Sequence, residues 1–168
     1  MAESPQISKG LVQPHDRGIV KSAYETASDP ATPANIAVGQ IERVKHVFEV
    51  NNVPLNASTI QDTFNVEGSV FDRVVRDRAL EAAITSFADA QLLDSEGESA
   101  IASLKHTQDY LDLAASVDGF SLDDAYDVLG TTEEDFRALT EKHAGTFQTK
   151  RVEMAIDGVN VTPVLKPR

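Results

Sequence analysis

The chain has 168 residues, 15 basic and 27 acidic side chains, a formal net charge of −12, and neither Cys nor Trp. The absence of Cys excludes a disulfide scaffold, a Cys-ligated zinc or iron–sulfur site and a cysteine nucleophile. No apolar run approaches the roughly 20 residues that span a bilayer, and the N-terminus lacks a signal-peptide core, so no membrane association is expected; an intracellular location is, nuclear in a eukaryote.

Residues 1–38 contain Pro5, Pro14, Pro30 and Pro33 among scattered Ser, Thr, Gly and Asp, which predicts a flexible arm with at most a short helical turn over Ile19–Thr26. From Ile36 the pattern changes. Ile41, Val44, Val47 and Phe48 share one face of a helix that Asn51, Asn52 and Pro54 end. Asn56 is a good N-cap for a second helix carrying Ile60 and Phe64, and the stretch 65–68 interrupts it. Ser69 with Asp72 reads as a capping-box start for a third helix, whose apolar face is Val70, Phe71, Val74 and Val75. Helix, tight Gly-containing turn, helix is the sequence form of a helix-turn-helix.

Leu80, Ala83, Ile84, Phe87 and Leu92 continue helical spacing to about Leu93, and a polar loop is expected over residues 94–99. Another helix or pair follows over Ile101–Ala114, ending at Asp118 and Gly119. After Gly145 apolar residues largely alternate with others, which suggests a C-terminal tail over 146–168, extended or folded as a β-hairpin turning at Asp157 and Gly158.

A shift of 65 positions lays the helix-turn-helix on Ser121–Lys142 without a gap: Ile60 falls on Ala125, Phe64 on Leu129, Phe71 on Phe136 and Val74 on Leu139. Ser121 with Asp124, and Thr131 with Glu134, supply capping signals in the second copy. The expected fold is therefore all-α: a flexible arm (1–38), a helix-turn-helix-like three-helix unit (39–80), an acidic helical unit with a second, degenerate helix-turn-helix (81–145), and the tail.

Charge separates the copies. Residues 1–80 hold eight bases against ten acids (−2), residues 81–145 three against fifteen (−12), and residues 146–168 four against two (+2). The first unit's third helix carries Arg73, Arg76 and Arg78, where the second has Ala138, Glu141 and His143. Arginines on a recognition helix can contact bases and phosphates; equally, they form a solvated face with Arg73 and Asp77 spaced as an ion pair. The second unit exposes Asp123, Asp124, Asp127, Glu133 and Glu134, which phosphate would repel and a basic protein would attract.

Residues 53–76, from Val53-Pro54-Leu55 through Glu67-Gly68-Ser69-Val70-Phe71 to Arg76, resemble the N-terminal helix-turn-helix of pogo-type transposases, especially fungal copies. The resemblance implies a recognition helix opening near Ser69 and reading bases through Asp72, Arg73, Arg76 and Asp77. Two acids in that helix depart from the pattern, and no carboxylate-triad catalytic domain follows within the 168 residues, so transposase activity is not implied. The order of a helix-turn-helix, a helical part and a tail also resembles the small terminase subunit of tailed phages.

No enzyme site is legible. His15, His46, His106 and His143 form no paired-His signature, and Glu42 and Glu49 beside His46 add no second imidazole. A calcium loop from Asp94 fails at Ser99 and Lys105. The acids at 123–127 and 133–135 lie in first helical turns, where the helix dipole accounts for them. The expectation is a non-enzymatic, cofactor-free regulatory or assembly protein acting mainly through protein interaction, with duplex DNA as a candidate ligand of Ser69, Arg73, Arg76 and Arg78. A basic protein is the candidate partner of residues 81–145. The alternative is a sequence-specific DNA-binding protein, either a mobile-element-derived regulator or a packaging subunit, and a homo-oligomer is compatible with either.

Overall fold

The computed structural model describes residues 11–92 and 97–156, and among them there are seven α-helices and no strand, the all-α class read from the sequence. In chain order they are α1 (Pro14–Ser28), α2 (Ala34–Val50), α3 (Ala57–Phe64), α4 (Gly68–Leu92), α5 (Gly97–Ala115), α6 (Leu122–Val128) and α7 (Glu133–Ile156).

The arm expected over residues 1–38 is instead helical from Pro14. Three of the four prolines that suggest disorder sit at or between helix ends, and Pro5 lies outside the described residues: Pro14 opens α1, where its missing N–H costs nothing, Pro30 lies in the connection, and Pro33 is the N-cap of α2. Val20, Ala23, Tyr24 and Ala27 form a buried stripe at helical spacing. Asn51, just past α2, ties the two helices together: its amide donates to Asp16 Oδ2 (3.0 Å) and Val47 O (2.8 Å), and its Oδ1 accepts from Gln13 N (3.0 Å).

Asn56 caps α3 as expected. Its side chain accepts from Thr59 N and the Thr59 hydroxyl accepts from Asn56 N, both at 3.0 Å, closing a reciprocal box. Asn65 then takes left-handed geometry (φ 59°), which ends α3 and turns the chain sharply into α4. Helix α4 starts at Gly68, with Glu67 O accepting from Val70 and Phe71, so Ser69 lies inside the first turn and not at the expected cap. A side chain at Gly68 would stand 3.2 Å from Ala57, so glycine lets the two helix starts approach closely.

The boundary expected after Leu80 falls inside α4, which is one continuous helix. Its first half packs into a core of Tyr24, Ile41, Val44, Phe48, Ile60, Phe64, Phe71 and Val75. Its second half joins Leu104, Leu111, Ala125, Tyr126 and Phe136 in another core, and Leu80, Tyr110 and Phe120 pack against both. Helix α5 lies along α4, where the buried Thr107 hydroxyl meets Ser86 at 2.6 Å.

The two cores repeat one arrangement. From Ala57 of α3 to Leu122 of α6, and from Gly68 of α4 to Glu133 of α7, the offset is 65. Asn65 and Gly130, both at positive φ, obey the same offset. The Ser121–Asp124 box matches Asn56–Thr59, with its two hydrogen bonds at 3.0 and 3.1 Å. The start of α7 is held by Thr132, whose hydroxyl accepts from Asp135 N at 3.1 Å, one residue beyond the expected Thr131.

The correspondence also extends further back than the expected three-helix units. At an offset of 63, the buried Val20, Ala27, Ala37, Ile41, Val44 and Phe48 match the buried Ala83, Ala90, Ala100, Leu104, Thr107 and Leu111. Tyr24, whose ring lies 5.3 Å from Phe71, matches Phe87, whose ring lies 5.8 Å from Phe136. Each unit thus has four helices, with the second half of α4 in the place of α1. At the C-terminus, α7 carries residues 146–156 of the expected tail as helix, and the Asp157–Gly158 turn lies outside the described residues.

Candidate functional site

Helix α4 follows the left-handed turn at Asn65 in the position of a recognition helix. Helical spacing sends Phe71, Val75, Arg78, Ala79 and Ala82 inward and leaves Ser69 and Arg73 exposed. Arg76 and Asp77 are partly exposed and pair with each other, with Arg76 Nη2 3.0 Å from Asp77 Oδ1, in place of the Arg73–Asp77 pair expected from spacing.

Arg78 is a correction to the expected set of DNA contacts. It is 9% exposed, and its guanidinium faces the α1–α2 connection. Nη2 donates to Thr32 O and, at 3.4 Å, to Asp29 O, while Nη1 lies 2.6 Å from Glu81 Oε1. A guanidinium fork holding backbone carbonyls of a connection is a structural fastening, withdrawn from any ligand outside. Its spacing was visible in the sequence, since Phe71, Val75 and Arg78 follow the i, i+4, i+7 rule of a buried face.

The outward face of α4 is not open along its length. The α5–α6 connection brings Phe120 against it, with the Arg76 guanidinium 5.8 Å from the ring centroid, a cation–π arrangement. Burial pushes the Asp72 carboxyl up from its usual value, and the neighbouring charge of Asp118 adds to the rise. Of the four side chains that the transposase resemblance assigns to base reading, Arg76 therefore meets the second unit, and Asp72 is partly buried within reach of the Asp118 charge. The place of Phe120 against α4 depends on the packing of α5 along that helix, for which no local sequence signal exists.

No family model matches this chain, and no curated protein or solved structure matches it.

Asp123, Asp124, Asp127, Glu133 and Glu134 are all exposed, on α6 and the first turn of α7. Asp124 is engaged in the cap of α6, and Glu133 pairs with Arg137 at 2.7 Å; both are local helix-stabilising contacts that leave the charges at the surface. Among the described residues no group of three or more His, Asp or Glu is placed to hold a metal ion, and no helix is long and apolar enough to cross a membrane.

Proposed function

We propose that this chain is a non-enzymatic regulatory or assembly protein that uses a helix-turn-helix-like scaffold mainly to bind other proteins. The observation that supports this most is the packing of Phe120 from the second unit against Arg76 on the outward face of α4. A helix that reads the DNA major groove needs its outward side chains free along several turns and its net field positive. Here the arginine set contributes one exposed member, Arg73, while Arg76 is paired with an acid and Arg78 is buried. The acidic second unit suits a basic protein surface.

A second reading, duplex DNA bound by the first unit, rests on Ser69 and Arg73, which stay exposed at the start of α4. Fluorescence anisotropy of labelled mixed-sequence duplexes decides between them at about 50 mM salt, where phosphate attraction is strong. The expected result is no saturable binding. Binding at micromolar or lower Kd that is lost on R73E would overturn the protein-interaction reading.

A further inference from the structure

Comparing the two units position by position exposes a surface that has changed character. In the first unit the outer stripe of α1 carries Lys21, Glu25 and Ser28, all exposed and polar. At an offset of 63 the second half of α4 puts Ile84, Ala88 and Gln91 there, with Ile84 48% exposed. Across from this stripe the exchange is sharper. Thr63 is polar and 3% exposed, whereas its counterpart Val128 is apolar and 45% exposed. Hydrophobic burial predicts the reverse of both assignments, so packing within the chain does not account for them.

The second unit has a groove beside these residues. Tyr24, Phe64 and Phe71 close the first unit as a three-ring cluster with centroids 4.9–5.5 Å apart. In the second unit Leu129 replaces Phe64, and a cavity of about 490 Å³ lies between the α4 stripe and the α6–α7 corner. Its walls include Ile84, Phe87, Val128, Leu129 and Leu139, and Asp135 is the sole charged residue among the described ones lining it.

We infer that this groove is a docking site for a basic amphipathic helix of another protein. The inference rests on the protein-interaction reading above and narrows it to a place and a partner chemistry. Charge complementarity identifies the occupant. Among the described residues no Lys or Arg lines the groove, Asp127 and Glu134 are exposed beside the lining residues Val128 and Asp135, and residues 81–145 sum to −12. The stripe from Ile84 to Gln91 spans about 10 Å, two helical turns, the footprint of apolar anchors at i, i+3/i+4 and i+7 on a partner helix. Lysines or arginines flanking those anchors meet the acidic rim.

The test is a titration of the full chain with a fluorescent synthetic helix bearing leucines at i, i+3, i+4 and i+7 and lysines elsewhere, beside a scrambled peptide of equal composition. Saturable binding is expected, weakened at least roughly tenfold in I84E and V128E, because each places a carboxylate in the apolar contact. Both sites are about half exposed, so the variants keep the fold, which circular dichroism checks. Equal binding of the scrambled peptide, or binding unaffected by I84E and V128E, reduces the attraction to charge alone and overturns the inference. So does self-association that V128E abolishes, which would make the occupant a second copy. Duplex DNA titrated in parallel separates the failures: DNA binding overturns the protein-interaction reading itself, whereas binding of neither peptide nor DNA overturns only the groove.

Discussion

Replacing Arg78 by methionine separates a structural arginine from a DNA-contacting one. The bond from Nη2 to Thr32 O is a charge-assisted hydrogen bond to a carbonyl, worth about 1.5–3 kcal/mol. The 3.4 Å approach to Asp29 O adds a fraction of that. The ion pair with Glu81, whose side chain is 54% exposed, adds about 0–1 kcal/mol after solvent screening. Against these, Arg78 Nε is buried without a hydrogen-bond partner, and removing it offsets about 1 kcal/mol. Methionine keeps the aliphatic packing, so the net loss is about 2 kcal/mol. For a chain of this length that lowers Tm by about 4–8 °C. Thermal unfolding followed by circular dichroism measures it, with R73M as the exposed control, expected within about 0.5 kcal/mol of the parent. R78K keeps the charge without the fork and should fall between. If R78M and R73M melt together with the parent, the assignment of Arg78 as a fastening of the α1–α2 connection is wrong.

The two N-terminal boxes should behave alike despite their different residues. N56A and S121A are each expected to cost about 0.5–2 kcal/mol in urea unfolding, and no change in both would show that the matched caps do not hold the helices. The Asp72 carboxyl, raised above its usual 3.8, binds its proton more tightly folded than unfolded. Ionising it therefore costs stability, and that cost appears as pH rises through the folded value and is absent below about 3.8, where both states are protonated. D72N should accordingly be more stable than the parent at pH 7, with the difference closing as pH falls toward 3.8; a difference independent of pH would refute the cost of ionising this partly buried carboxyl as its source.

Local signals carried much of the fold. The Ile41, Val44 and Phe48 stripe, the Asn56 and Ser121 caps, and the 65-residue offset all rest on spacing within a few turns, and each has its counterpart in the helices observed. Composition points the wrong way from Pro14 onward, because Pro14 and Pro33 suggest disorder by number, whereas what matters is that each sits at a helix start. The stripe of α1 also relies on alanines at positions 23 and 27, weak hydrophobes that gain meaning only when Tyr24 stacks on Phe71. At the site, the inward direction of Arg78 follows from the same spacing as Phe71 and Val75, against the exposure that its charge alone suggests. The covering of Arg76 by Phe120 joins residues 44 positions apart through tertiary packing, beyond the reach of any periodicity.

Helix α4 carries a consequence for how the protein comes apart. Beads on a string can melt one at a time, but these two units share a rod: the turns holding Phe71 and Val75 continue without a break into those holding Ala83 and Ala90. Breaking the helix near residue 80 removes a wall from both cores at once. Melting α4 therefore opens both cores together, so the buried amides of its two halves should exchange with solvent through one common event.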